Sequence, residues 1–164
     1  MEIDLSDRIK TLKTFAELIF GRFDNSVKDL KETEAEWKPV GEANDIKWIL
    51  THLSQEWNVG IVRAIKGDPN YKLAGWPDDY VGNKSYKLEK IMKDLKEGRE
   101  KFLSSLDKLN PADLDVEITT PRGVRKRETM IMMLLSEIAH HEGQIAYIRG
   151  AAGRRKLVEP SFLA

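Results

Sequence analysis

MIMMLLSEIAHHEGQIAYIRG, residues 130–150, carries more chemistry than any other stretch of this 164-residue chain. At the spacing i, i+3, i+4, i+7, the residues Met130, Met133, Leu134, Glu137, His141, Ile145 and Ile148 share one helical face. A face so largely apolar predicts a helix packed into a core. In its middle stand a carboxylate and an imidazole four residues apart, where Cβ atoms lie about 5–6 Å from one another. An ionised carboxylate is costly to bury alone. The two side chains therefore either pair with each other at the edge of the core or share one cation.

Composition narrows the choice. Lys and Arg number 27, as do Asp and Glu, so the net charge is zero with histidine neutral. Nucleic-acid and membrane-surface binders normally carry a basic excess, and this balance argues against both. No apolar run approaches the roughly 20 residues of a membrane-spanning helix. The N-terminus, MEIDLSDRIK, lacks the basic-then-apolar layout of a signal peptide, so a cytoplasmic location is expected. There is no cysteine, hence no disulfide, thiol nucleophile or thiolate ligand. Any metal must be held by carboxylates and the three histidines at 52, 140 and 141. The length fits a single domain over residues 1–164 with a sizeable core.

Outward from the decisive stretch, three more helical patterns emerge. Ser6 and Asp7 open the first, and Ile9, Leu12, Phe15 (or Ala16), Ile19, Phe23, Val27 and Leu30 keep its period to about Glu32. Pro39 and Gly41 interrupt the next segment, where Trp37 is expected to anchor on the core. Asn44 or Asp45 caps a second helix that ends at about Lys66, before Gly67-Asp68-Pro69. Its apolar residues include Ile46, Ile49, Leu50, Leu53, Trp57, Ile61 and Ala64. Residues 68–84 form a long connection punctuated by Pro69, Gly75, Pro77 and Gly82. Its aromatics Tyr71, Trp76 and Tyr80 suit a packed lid or a loop that merely covers core surface. Ser85 caps a third helix, to about Leu109, with Leu88, Ile91, Met92, Leu95, Phe102, Leu103 and Leu106 inward. After Asn110-Pro111, residues 115–120 (DVEITT) alternate like a strand. Pro121-Arg122-Gly123 reads as a turn, and a short hairpin with residues 124–126 is conceivable. The fourth helix begins near Glu128 or Thr129 and ends at Gly150 and Gly153, leaving a tail with Pro160. The pattern as a whole predicts an all-α, up-down four-helix bundle with long middle connections.

A third ligand is available in such a core. His52 borders the stripe of Ile49, Leu53 and Trp57, with Trp48 and Glu56 one turn to either side. His52, Glu137 and His141 make a set of two imidazoles and one carboxylate, which leaves coordination positions open. Two rival motifs fail. Glu137 and His140 form Glu-x-x-His, but a di-iron bundle needs a second copy, and neither His52 nor His141 has a glutamate three residues before it. The zinc-protease motif His-Glu-x-x-His is absent. His140, about 100° around the helix from His141, reads as pocket wall, surface, or a group behind the ligands. Glu56 is either a base for a bound water or an ordinary exposed carboxylate. The basic clusters at 122–127 and 149–156 either hold carboxylates of a bound ligand or are solvated and helix-end cations.

The residues Trp48-Ile49-Leu50-Thr51-His52-Leu53 and Glu137-Ile138-Ala139-His140-His141-Glu142-Gly143-Gln144 resemble the DinB/YfiT-like superfamily of helical-bundle metalloproteins. The likeness covers nearly the whole chain, and the His-x-Gly-Gln ending is its most specific part. It implies one divalent metal held by one residue of helix two and an i, i+4 pair of the last helix, which here are His52, Glu137 and His141. Most members have histidine where this chain has Glu137. The glutamate version resembles the branch containing mycothiol-dependent maleylpyruvate isomerases. Zinc is the expected metal, with nickel, iron or manganese also suited to the added oxygen ligand. The resemblance further implies a metal-dependent S-transferase or isomerase that uses a low-molecular-weight thiol cosubstrate on a small-molecule electrophile. Gln144, Trp48 and Trp76 are expected behind the ligands or around the pocket. A metal-dependent hydrolase of small esters or amides is the alternative activity, and a non-catalytic metal-binding module the alternative role. A homodimer is the expected assembly, without nucleic acid or membrane.

Overall fold

The computed structural model describes residues 6–120 and 123–154, mostly helical with one two-stranded sheet. Helix α1, Ser6–Val27, turns Leu12, Ala16, Ile19, Phe20, Phe23 and Val27 into the core. Its apolar period runs on to Leu30, yet the helix stops at Val27. Asp29 adopts a left-handed φ of 56°, which a short polar side chain tolerates. A single turn, α2 (Glu32–Ala35), follows it.

The second helical run is interrupted. Helix α3 spans Ile46–Gln55, a π-helical turn spans Glu56–Gly60, and α4 spans Ile61–Lys66. Asp45 caps the start by accepting the Trp48 N–H at 2.8 Å, and Gly67 ends the run in a left-handed conformation. A π turn disturbs the regular backbone ladder. Here the Asn58 amide donates to Ser54 O at 3.0 Å and also reaches Asp94 O, at 2.9 Å, on the facing helix. That helix, α5 (Leu88–Leu106), comes close because residue 98 is glycine: a Cβ there would sit 2.8 Å from Asn58 Nδ2.

Helix α5 does not begin at Ser85, which instead bonds Asn83. It begins at Leu88, whose N–H donates to the Glu32 carboxylate at 2.9 Å, so a distant glutamate supplies the missing cap. It closes at Leu106, short of Leu109, because Lys108 and Leu109 bond back three residues in tighter turns. A 3₁₀ turn, Pro111–Asp115, absorbs the start of the expected strand. Strand β1 (Glu117–Thr120) then pairs antiparallel with β2 (Gly123–Lys126).

Helix α6 spans Arg127–Arg154 and passes through Gly150, where a helix end was expected. Glycine stops a helix when it turns left-handed. Neither Gly150 nor Gly153 has positive φ, and the intervening Ala151 and Ala152 are strong helix formers. The buried face also differs in phase from the one expected. Ile131, Leu135, Ile138, His141, Ile145 and Ile148 are buried, while Met133 and Glu137 are exposed. In MIMMLL every rotation offers an apolar face, and contacts with α1, α3 and α4 select the one that fits.

At the centre, Phe20 and Phe23 meet Trp57 edge-on at 4.8 and 5.1 Å, and Phe20 meets Phe102 at 6.2 Å. Trp37 packs partly buried against this core. The connection from 67 to 87 is strapped to the helices. Tyr80 is buried, stacks with Trp76 and Tyr86, and donates to Asp94, while the Gly82 N–H donates to Thr51 Oγ1 at 2.9 Å. The expected cap by Ser6 and Asp7 side chains, the turn residues Pro121 and Arg122, and the tail from 155 with Pro160 lie outside the described residues. No helix among the described residues is long and apolar enough to cross a membrane.

Candidate metal centre

The π-interrupted run and α6 bring His52, Glu137 and His141 together. One potential ligand atom from each lies within 4.8 Å of the other two. Ligand atoms around 2.1 Å from one cation are about 3.0–3.4 Å apart in tetrahedral or octahedral geometry. Small rotamer adjustments close that gap, so the donor set fits a divalent ion. The i, i+4 spacing does much of the work, placing His141 Nε2 3.7 Å from Glu137 Oε2.

Each imidazole is held by a neighbour. The His52 ring stacks on Trp48 at 5.4 Å with 17° between planes, and meets His141 edge-on at 4.9 Å. His141 Nδ1 donates to Gln144 Oε1 at 2.8 Å, and the Gln144 amide donates in turn to His140 Nε2 at 3.1 Å. That relay assigns the Nδ1–H tautomer to His141 and leaves its Nε2 lone pair facing Glu137. A hydrogen bond on the far ring nitrogen is how metal-binding histidines are usually oriented. Burial pushes both His52 and His141 below the usual imidazole value, the Glu137 carboxylate opposing it in each case and the Gln144 bond also opposing it at His141. Both therefore stay in the neutral, metal-binding form to lower pH than a free histidine.

A cleft of about 500 Å³ opens on the site, lined by His52, Glu56, Thr120, Arg125, Met130, Met133, Leu134 and Glu137. Met130, Met133 and Leu134, expected in the core, form its apolar wall instead. Glu56 belongs to the π turn and lies against Gly60, where a Cβ would come within 2.2 Å of its carboxylate. Of the hairpin residues, Thr120 was not singled out by sequence and Arg125 only within the basic cluster at 122–127, because their nearness to helix α6 is a tertiary fact. His140 and Gln144 line a separate hollow with Asn44, Ile49 and Tyr147, behind the ligands. Trp76 lines neither; its indole N–H donates to Gln55 and its ring packs on Tyr80. One arginine of each cluster flanking α6 is built into the fold. Arg127 donates to Ala64 O and Asp113 O, and Arg149 to Ser26 O and Lys28 O near the end of α1.

The loop reaches the site through Trp48. Gly82 has a φ of 76°, and a Cβ there would stand 2.8 Å from the Trp48 ring. Gly82→Ala is therefore expected to cost about 1–2 kcal/mol of stability, and to weaken metal binding by displacing the ring on which His52 stacks. Urea unfolding and chelator competition check the two effects separately. Unchanged affinity would show that helix α3 alone positions His52.

The sequence profile of the DinB superfamily matches residues 17–145 of this chain. No curated protein matches it. Among solved structures, a crystal structure of a conserved protein from Enterococcus faecalis superposes with a TM-score of 0.63. The alignment covers 87% of this chain and 95% of that one at 14% sequence identity, a likeness of fold alone.

Proposed function

This chain belongs to the DinB superfamily, and on that footing we propose that it binds one divalent metal through His52, Glu137 and His141 and serves as a metal-dependent transferase for a low-molecular-weight thiol. The observation that carries the reading is the convergence of three ligand atoms within 4.8 Å of one another, two of them from residues that line an open cleft, His52 and Glu137. Zinc is the first choice for two imidazoles and a carboxylate, with nickel, iron or manganese next. We take the four long helical segments to form an up-down bundle, and the working unit to be a cytoplasmic homodimer.

A divalent cation in this site would lower the pKa of a thiol or water brought to it. The chain's own residues do the rest. Gln144 keeps the His141 proton on Nδ1, Trp48 fixes the His52 ring, and half-exposed Glu137 leaves the solvent side open. Met130, Met133 and Leu134 pack the apolar body of a small electrophile and exclude water around it. In the transfer, sulfur bonds the electrophilic carbon, the leaving group departs with its electron pair, and the thiol proton passes to solvent. With no cysteine in the chain, the nucleophilic sulfur comes from the cosubstrate.

Glu56 on the cleft wall favours one second reading, in which it takes a proton from water during hydrolysis of an ester or amide. A paired assay separates the two. Thiol conjugation of an activated aryl halide should require both metal and thiol and should stop after dialysis against a chelator. Metal-dependent cleavage of a nitrophenyl ester without thiol, abolished in Glu56→Gln, would instead favour hydrolysis. Turnover in neither assay would leave a non-catalytic metal-binding protein.

A further inference from the structure

We propose that Arg125 is the anion-recognition group of the metal cleft, and that the molecule bound there is small and carries a carboxylate at the end remote from the metal ligands. The inference rests on the cleft being the substrate site. Three independent observations carry it. Of the eight described residues that line the cleft, Arg125 is the one permanent cation, beside two carboxylate side chains, Glu56 and Glu137. Among the described residues it is also unengaged. Arg8, Arg22, Arg63, Arg99, Arg127 and Arg149 each donate to a carboxylate or backbone carbonyl, whereas Arg125 makes no hydrogen bond or ion pair with any described residue.

The third observation is its mounting. Strand pairing sets Arg125 directly across from Ile118, and cross-strand partners share a face of the ribbon. Ile118 is buried, so that face is the one turned toward the helices. Lys126 next to it, on the opposite face, is held by Asp115 at 2.8 Å. A guanidinium on a fixed hairpin presents a planar fork that matches a carboxylate with two parallel hydrogen bonds. Met130, Met133 and Leu134 line the same cleft and lie along the chain between the hairpin and Glu137. The complementary ligand is therefore amphipathic, with a metal-seeking group at one end, an apolar middle and a carboxylate at the other. The cleft volume of about 500 Å³ suits a molecule of that size.

The test compares mercaptohexanoate with its neutral analogue mercaptohexanol on the zinc-loaded protein by titration calorimetry. Wild type should prefer the acid, and Arg125→Gln should weaken acid binding about five- to tenfold while leaving the alcohol and the zinc stoichiometry unchanged. Arg125→Lys should recover part of the preference as a point charge. An acid-to-alcohol ratio that is the same in wild type and Arg125→Gln overturns the proposal. If neither thiol binds, the thiol reading of the site has failed, and phenylbutyrate against phenylbutanol on the metal-free protein tests Arg125 by itself. A preference for the acid that Arg125→Gln removes supports the assignment; no preference overturns it.

Discussion

His141→Ala is expected to remove stoichiometric metal from the protein, whereas His140→Ala should retain most of it. The two residues are adjacent in sequence, so a general disturbance of helix α6 would affect them alike. Their surroundings differ. His141 is buried, with Nε2 turned to Glu137, while His140 lies on the exposed side, bonded to Gln144 and edge-on to the His141 ring at 5.1 Å, with no ligand atom turned to the site. Losing one of three protein ligands forfeits most of the binding energy. Losing a group behind the ligands costs less, typically 10- to 100-fold when the directly bonded partner goes. Gln144→Ala should fall in that range, and His140→Ala, one bond further out, should cost only a few-fold. Metal content after gel filtration, with chelator competition for the weaker effects, gives the order. Equal losses at 140 and 141 would contradict the assigned relay.

Lys47→Met is expected to destabilise the fold well away from the site, by about 1–3 kcal/mol in urea unfolding, the half-exposed carboxylates being partly resolvated. Lys47 is 3% exposed, and its ammonium donates to Glu32 at 2.5 Å, Glu36 at 2.8 Å and Lys84 O at 3.0 Å. All three ammonium protons are thereby used. Burial alone would lower this lysine, but the two carboxylates outweigh it and hold its pKa raised. The substitution keeps the side-chain volume but leaves Glu32 and Glu36 close together without their cation. Because Glu32 also caps α5 through Leu88, the damage spreads to a second helix.

The pH dependence has a definite sign. Glu32 is lowered from its usual 4.5, first by Lys47 and next by the Leu88 N–H. A depressed carboxyl contributes stability that is present above the unfolded value and lost as pH falls through the folded one. Wild type should therefore lose this contribution on acidification below about 4.5, and Lys47→Met should show a shallower acid limb. A loss under about half a kcal/mol, with an unchanged acid limb, would count against the network.

Local chemistry was legible in the sequence, and tertiary choices were not. Asp45 and Gly67 delimit the second run because capping and left-handed termination need only neighbouring residues. Glu137 and His141 could be paired from helical geometry, and His52 followed from the scarcity of histidines. Lys47 hid between Ile46 and Trp48, since its partners lie 15 and 11 residues earlier in the chain. The π turn depends on Asn58 reaching α5 and on the missing Cβ of Gly98, neither of which leaves a periodic trace. The phase of α6 was ambiguous because MIMMLL is apolar all round, and so two methionines assigned to the core line the cleft instead. Arg125 was one cation in a basic cluster until the hairpin register gave it a direction.

X-ray absorption at the zinc edge of the zinc-loaded wild-type protein tests the central claim most directly. Two imidazole rings and a carboxylate from His52, Glu137 and His141 predict a first shell of nitrogen and oxygen only, with outer-shell scattering from two imidazoles. A protein that takes up no zinc, a sulfur in the first shell from one of the cleft methionines, or scattering from a single imidazole would contradict it.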